Sequence, residues 1–306
     1  MTTEHSSGFA IWRIGLLLGG VWACATAIIF IRLSTTPPML LTGLRLLGAS
    51  IVLSPLCVRD FRKHRGKLGW GDLRMTMIAG AAMGLHFTSW IMGARLANPT
   101  NASLIVNMVP AVLPLMLFVM VRERVTRGEL KATGLVMAGV CILGAWDFHV
   151  SAENFTGDAI CFGSMLIFCL YLTLGRRNRH FATIWLYVVP LYFFGGCLAL
   201  AMGVFIELGV LGAPMSWSVR EILLIAALTI IPTVMGHSIL NYSVKHMRGQ
   251  LVGIINLFQF VFVGVMAWCV GEKTPAWTIV PAAALVLGGA IIAVKSQKPV
   301  APDVLE

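Results

Sequence analysis

Long apolar runs recur along the whole chain of 306 residues, and each is about as long as a bilayer is thick. A helix needs about 20 apolar residues to cross the hydrocarbon core. Hydrophobic residues make up 58% of the chain and charged residues only 12%. A soluble domain of this size could not bury so much apolar sequence. The pattern therefore predicts an all-α, polytopic protein that is integral to a membrane.

Ten such runs can be delimited, five in each half of the chain. The first follows a polar start and is long enough to span rather than to be removed, so no cleavable signal peptide is expected. The sixth is the shortest. The predicted spans are Ile11–Ile31, Pro38–Val58, Met75–Leu96, Thr100–Val121, Gly128–Trp146, Ile160–Leu174, Ile184–Ile206, Ile222–Val244, Leu251–Val270 and Trp277–Val294.

The basic residues lie mainly between alternate pairs of spans. If the N-terminus is cytoplasmic, 18 of the 23 Lys and Arg residues fall on the cytoplasmic side. Only Arg32, Arg95, Arg220 and Lys273 fall outside, and Arg45 lies within a span. Positive residues resist translocation, so both termini are predicted to be cytoplasmic. The net charge of +10 is scattered in short clusters, which argues against nucleic acid as a partner.

Motifs for catalysis, nucleotides and metals are missing from the sequence. None of the seven Cys residues forms a C-x-x-C pair, so neither a zinc site nor a disulfide framework is predicted. A phosphate-binding G-x-x-x-x-G-K-[ST] loop does not occur, so ATP is not expected to drive the protein. No cofactor or metal is expected. All thirteen Asp and Glu residues fall in tails, loops or the ends of predicted helices.

A shift of 149 residues relates the two halves of the chain. It aligns the fourth span with the ninth, Asn107 with Asn256, and Glu123 with Glu272. Such residues are scarce in membrane segments, so two matches at one offset indicate a duplication. Because each half has five spans, the second is predicted to be inserted upside down, which is an arrangement typical of alternating access. The predicted repeats are residues 1–150 and 151–306.

The segment from Pro110 to Glu123 and the Gly271-Glu272-Lys273-Thr274 turn resemble the signature of the EamA repeat. Other parts of that pattern are Pro38, Arg45, Ala49, Gly134 and Gly139. These repeats belong to the drug/metabolite transporter superfamily, and the chain is similar to its YddG-type amino-acid exporters. The resemblance implies a transporter in a bacterial inner membrane, for which a monomer suffices and whose partners are lipid and a small-molecule substrate.

Polar and aromatic side chains within the predicted spans form the candidate substrate site. Polar groups are costly in lipid and usually face a bundle interior or a wet cavity. His86 and Trp90 share one face of the third span, and His237 and Asn241 share one face of the eighth. The alternative is that these groups only bond across helices. The predicted substrate-binding residues are Trp22, His86, Trp90, Asn107, Tyr171, His237, Asn241, Asn256 and Gln259.

The sequence leaves two roles open for each of two charged residues, Arg45 and Glu123. Arg45 either has a structural role or binds a substrate carboxylate. Glu123 is expected to cap a helix or to pair with a neighbouring basic residue. A proton-driven exporter of organic cations usually needs a carboxylate inside the membrane, and the sequence places none there. If protons are coupled to transport, His86 or His237 must carry them.

The functional hypothesis is export of neutral or aromatic amino acids, and three alternatives stay open. A nucleotide-sugar or phosphate-ester exchanger would need several basic side chains in its pocket, where only Arg45 is available. An intramembrane enzyme would need a Ser/His, paired-Asp or H-E-x-x-H constellation at helical spacing. A sensor or scaffold without transport activity is the third alternative.

The ten-span topology places Lys63 and Ser151 on opposite sides of the membrane. Single cysteines introduced at these positions in a cysteine-depleted background should react from opposite sides of intact cells. The cysteine at position 151 should react with an impermeant maleimide from outside. Labelling of both positions from outside would contradict the predicted topology.

Overall fold

The computed structural model describes residues 3–66, 68–97, 102, 105–106, 108–147, 155–213, 217–269 and 279–296. Within these ranges every regular element is a helix, which confirms the all-α prediction for the described part of the chain. The helices are α1 Thr3–Ala25, α2 Ala27–Leu33, α3 Pro38–Lys63, α4 Trp70–Leu96, α5 Val109–Val121, α6 Arg127–Asp147, α7 Phe155–Arg177, α8 Trp185–Met202, α9 Val219–Leu228, α10 Ser238–His246, α11 Gly249–Asn256, α12 Phe258–Cys269 and α13 Ile279–Lys295.

Several of these helices run on into the next with little interruption. The π-helical stretch Gly203–Val210 extends α8, and the π-helical stretch Thr229–His237 joins α9 to α10. Seven helical segments in the described part are long and apolar enough to cross a bilayer, and Val109–Val121 and Val280–Lys295 are shorter apolar helices. A polytopic membrane protein is therefore the architecture that the structure supports, while the count of ten spans stays a prediction.

The sixth predicted span is longer than its hydropathy indicated. The sequence placed it at Ile160–Leu174, whereas α7 covers 23 residues from Phe155 to Arg177. Its polar ends account for the error. Asp158 lies in the first turn and Arg176 in the last, where each complements the helix dipole. Arg176 is also buried against protein rather than exposed to lipid.

Glycines let neighbouring helices approach closely, because lipid provides no hydrophobic force between them and packing has to supply it. A Cβ added to Gly84 of α4 would lie 2.7 Å from the carbonyl oxygen of Gly195 in α8. The pattern Gly-x-x-x-Cys occurs at Gly20–Cys24 in α1 and at Gly157–Cys161 in α7. Each of these faces a glycine of another helix, Gly236 and Gly93 respectively, whose added Cβ would lie 2.6 Å from the cysteine sulfur.

On the predicted outer face, two buried glutamates of the second half bind the start of α3 and the turn before it. Glu207 accepts the backbone N–H groups of Met39 at 2.8 Å and Leu40 at 2.9 Å. These groups have no acceptor within their own helix. Glu221 accepts the backbone N–H of Thr35 and the three hydroxyls of Ser34–Thr36. The two halves are therefore joined here by carboxylates at helix ends.

On the predicted inner face, glutamates of the first half bind cations of the second. Glu123 pairs with Arg176 at 2.7 Å and accepts the N–H of Gly249 at the start of α11. Glu129 pairs with Arg248, with 2.8 Å between Oε2 and Nη2. Glu123 thus has the pairing role expected of it, but the helix whose amide it binds is distant in sequence rather than the next one.

Two glycines of α7 should respond in opposite ways to alanine. At Gly157 the new Cβ would lie 2.3 Å from the backbone nitrogen of Ala97, so the helices must separate. Overpacking of this kind costs about 1–3 kcal/mol. At Gly163 nothing lies within 4 Å, so alanine should be neutral or stabilising by up to about 1 kcal/mol.

Thermal unfolding of purified protein in detergent checks this pair of variants. Gly157→Ala should lower Tm and Gly163→Ala should not. Equal Tm values for the two variants would show that α4 and α7 do not approach as closely as described.

The Glu123 pair should matter for folding more than for turnover. Glu123→Gln leaves Arg176 buried without its anion, and breaking a buried ion pair of this kind costs about 3 kcal/mol. The yield of folded protein and its Tm should fall, while protein that does fold should keep its turnover. Arg124→Gln removes an exposed charge from the same loop and is the matched control. A folded but inactive Glu123→Gln protein that had lost its pH dependence would contradict this interpretation.

Candidate functional site

A cluster of aromatic rings lies where α4, α7 and the π-helical stretch Thr229–His237 meet. We call it the ring cluster, and its members are His86, Phe87, Phe168, Tyr171 and His237. His86 stacks on Phe168 with 4.6 Å between ring centroids. Phe87 meets His237 edge-on at 4.7 Å, and Tyr171 lies 6.3 Å from His237. Three residues predicted from the sequence, His86, Tyr171 and His237, are therefore brought together here from three helical segments.

The hydrogen bonds of His86 fix which nitrogen carries its proton. Ser164 of α7 donates its hydroxyl to the His86 carbonyl at 3.0 Å. The Nδ1 atom of His86 lies 3.0 Å from the Ser164 carbonyl oxygen and 2.9 Å from its hydroxyl oxygen. Since both of these oxygens act as acceptors toward His86, Nδ1 must carry the hydrogen. The neutral ring is then left with Nε2 as a hydrogen-bond acceptor.

Asn241 joins α10 to the ring cluster. Its Nδ2 donates to the hydroxyl of Tyr171 and, at 2.8 Å, to the carbonyl oxygen of His237. Both amide hydrogens of Asn241 are thereby used. The Tyr171 hydroxyl accepts this bond and still has its own hydrogen to donate. Asn241 is buried.

Pro232 explains why the helix is π-helical next to His237. Proline has no N–H, so the carbonyl of Leu228, four residues earlier, loses its usual partner. The hydroxyl of Thr233 donates to this carbonyl at 2.8 Å instead. The carbonyl of Thr233 in turn lies 3.3 Å from the hydroxyl of Tyr192. The Thr233 carbonyl also accepts the backbone N–H of Ser238, so these side chains supplement the backbone bonds of the stretch. Segments of this kind often mark functional sites.

Arg45 of α3 lies against the ring cluster. Its Nε donates to the hydroxyl of Thr233 at 3.0 Å, and its guanidinium carbon lies 4.0 Å from the centroid of Phe87. The residue is 1% exposed. Among the described residues, no carboxylate lies within ion-pair distance of Arg45, and its Nη2 is buried without an acceptor.

The remaining predicted residues lie apart from the ring cluster or outside the described residues. Trp22 is 48% exposed, and Trp90 packs against Ile91 and Cys161 in two smaller apolar groups. Asn256 is buried at the end of α11 and Gln259 is half-buried in α12. Within the described part of the chain, neither makes a hydrogen bond with the cluster. Asn107 lies outside the described residues.

Four residues of the site were not predicted from the sequence, and two of them carried a signal. Phe168 precedes Tyr171 by three residues and Phe87 adjoins His86, so helical spacing alone would have placed both near predicted positions. Ser164 and Thr233 carried none, because hydroxyl residues are common in membrane helices and only the tertiary contacts distinguish these two.

A cavity of about 340 Å³ lies elsewhere in the structure, between the ends of α3, α4 and α8. Its lining includes Phe61, Trp70, Leu186 and Pro190, and Asp72 is its acidic member. It shares no residue with the ring cluster and is almost wholly apolar. The cavity therefore adds nothing to the candidate site.

Comparisons with known proteins agree with a membrane transporter. Residues 10–145 match the EamA-like transporter family, which supports the resemblance to the drug/metabolite transporter superfamily. No curated protein gives a significant match. Twenty-nine solved protein chains do match. One of them, described only as a crystal structure of a protein, has a TM-score of 0.73 and 20% identity, over 92% of this chain and 96% of its own. At that identity the likeness concerns the fold alone.

Proposed function

We propose that the protein exports small amphipathic metabolites, with neutral or aromatic amino acids as the best candidates, by alternating access. The observation that carries the proposal is the ring cluster, where donors, acceptors and aromatic faces from both halves of the chain meet in a buried place. His86 offers an acceptor for an ammonium group, and Phe87 and Phe168 offer surfaces for an apolar side chain. A site with these properties suits a solute that is polar at one end and apolar at the other.

The proposed architecture is ten spans in two inverted repeats, and the ties between the halves support it. Glu221, at the start of α9, binds the turn between α2 and α3. The same 149-residue shift that aligns the repeats maps Asp72 onto Glu221. Asp72, at the start of α4, binds His180, in the turn between α7 and α8, at 2.8 Å. In each half, the helix that begins the third predicted span (α4 or α9) thus binds the turn between the first two spans of the other half. This reciprocal contact is what an inverted pair of repeats would give.

Two other functions fit the site less well. A nucleotide-sugar or phosphate-ester exchanger needs several cations around its phosphate, and in the ring cluster and its described neighbours Arg45 is the one that the structure provides. An intramembrane hydrolase would use Ser164 as a nucleophile activated by His86. That hydroxyl donates to the His86 carbonyl rather than to its ring, so the base and nucleophile are not arranged for proton transfer.

Counterflow of labelled solutes into liposomes tests the proposed function. Protein reconstituted from detergent should exchange neutral or aromatic amino acids, and it should not exchange nucleotide sugars or organic cations offered alongside. Exchange of nucleotide sugars in place of amino acids would overturn the proposal.

Alanine variants of the predicted residues then test the site itself. The set is His86, Trp90, His237, Asn241 and Gln259. The variants at His86, His237 and Asn241 should bind the exchanged amino acid at least about tenfold more weakly, since a group hydrogen-bonded to a charged substrate contributes about 1.5–3 kcal/mol. Trp90 and Gln259 lie apart from the ring cluster, so their variants test whether the site extends beyond it. Thermal stability should stay nearly unchanged at His237 and Gln259. It should fall at Trp90, which packs in two apolar groups, and at His86 and Asn241, which also join helices. Ser89→Ala, one turn from His86 on α4, is the matched control. Normal binding by four of the five variants would exclude this site.

A further inference from the structure

Arg45 is a cation without an anion in the described structure. A guanidinium stays protonated in proteins, so its positive charge is permanent, and a permanent charge inside a membrane protein is costly unless something balances it. The hydroxyl of Thr233 and the face of Phe87 solvate the guanidinium without neutralising it. The other buried cation described above, Arg176, has a glutamate at 2.7 Å. Arg45 differs because none of the carboxylates that the structure describes lies close enough to balance its charge.

A second unsatisfied group lies beside the same ring. Among the residues that the structure describes, neither the Nδ1 of His237 nor the Nη2 of Arg45 has a hydrogen-bond partner, and both atoms are buried. Both side chains contact Phe87, with Arg45 over its face at 4.0 Å and His237 edge-on at 4.7 Å. Buried polar atoms without partners are rare in native proteins. Two of them around one ring indicate a place where a ligand completes the bonding.

We propose that Arg45 and His237 bind a carboxylate of the transported solute, with Phe87 between them as an apolar support. A carboxylate carries the single negative charge that one guanidinium balances, and its two oxygens match two separate N–H donors. A phosphate dianion would leave one charge uncompensated among the described groups. The inference rests on the proposed function, because it assigns the substrate class for the same site.

The assignment also divides the roles within the ring cluster. Arg45 and His237 hold the acidic group of the solute. The Nε2 acceptor of His86 stays available for a donor such as an ammonium group. Binding should therefore depend on the carboxylate through Arg45 and independently on the ammonium through His86.

Three phenyl compounds that differ only in their charged groups test the proposal on the full chain in liposomes. Phenylalanine has both charged groups, phenylalaninamide lacks the carboxylate, and 3-phenylpropanoate lacks the ammonium. Inhibition of labelled phenylalanine exchange gives the affinity of each. In the wild type, phenylalaninamide should bind at least about tenfold more weakly than phenylalanine, the loss expected for a charge-assisted hydrogen bond.

Substitutions at Arg45 and His237 should remove this discrimination. Arg45→Gln and His237→Phe should bind phenylalanine about tenfold more weakly or worse, with little change for phenylalaninamide. The ratio of the two affinities is the decisive readout, because a purely structural role would weaken both compounds together. If Arg45→Gln does not fold, His237→Phe alone supplies the ratio. Arg95→Gln is the control, since Arg95 donates to the carbonyl of Ser34 and lies away from the ring cluster.

The outcomes distinguish failure of the carboxylate site from failure of the proposed function. An unchanged ratio in both variants, or wild-type exchange of phenylalaninamide as good as that of phenylalanine, overturns the carboxylate site and leaves amino-acid transport standing. The protein could instead exchange 3-phenylpropanoate and no amino acid. If that exchange depends on Arg45, the result supports the carboxylate site and overturns the amino-acid proposal. If neither phenylalanine nor 3-phenylpropanoate is exchanged, both the carboxylate site and the amino-acid proposal are overturned.

Discussion

A polar group inside a membrane has to find its hydrogen-bond partner within the protein, because the hydrocarbon core offers none. The region around Pro232 shows how far this constraint shapes the structure. Once the proline has removed a backbone bond, Thr233 satisfies the freed carbonyl of Leu228, and Tyr192 approaches the carbonyl of Thr233. The same hydroxyl of Thr233 also accepts a hydrogen bond from the Nε of Arg45. The break in one helix is thus bonded to two others, to α3 through Arg45 and to α8 through Tyr192.

The same constraint separates the charges that hold the structure together from those that can bind a solute. The glutamates at helix ends, such as Glu123 and Glu207, use both carboxylate oxygens to bind cations or free amides of helix N-termini. They link the two halves of the chain at both predicted faces of the bundle. Deeper in the bundle, Arg45 and His237 keep unsatisfied nitrogens. A transporter needs such groups, because a site whose bonds are all satisfied by the protein has nothing left to offer a substrate.

Much of the fold and part of the site could be predicted from the sequence. Apolar runs locate most spans well, since burial in lipid depends on composition and length. For α7 the apolar run gave bounds that were too short, because hydropathy excludes the polar residues at its ends. Asp158 and Arg176 are stabilised there by the helix dipole and by protein contacts. His86 and His237 could be singled out because histidine is rare and costly in lipid. Ser164 could not, because hydroxyl residues are common in membrane helices and only its tertiary contact with His86 distinguishes it.

The sequence by itself determined the class of protein and the residue types that can meet in its interior, because those depend on local composition and on helical spacing. Only the tertiary structure decided which of them meet. Tyr171 and His237 lie far apart in the chain, yet the helices bring their rings within 6.3 Å, while Trp22, equally plausible by type, is left 48% exposed. The choice follows from helix rotation and close approach at glycines such as Gly84 and Gly236, which act between helices and leave no signature in either helix alone.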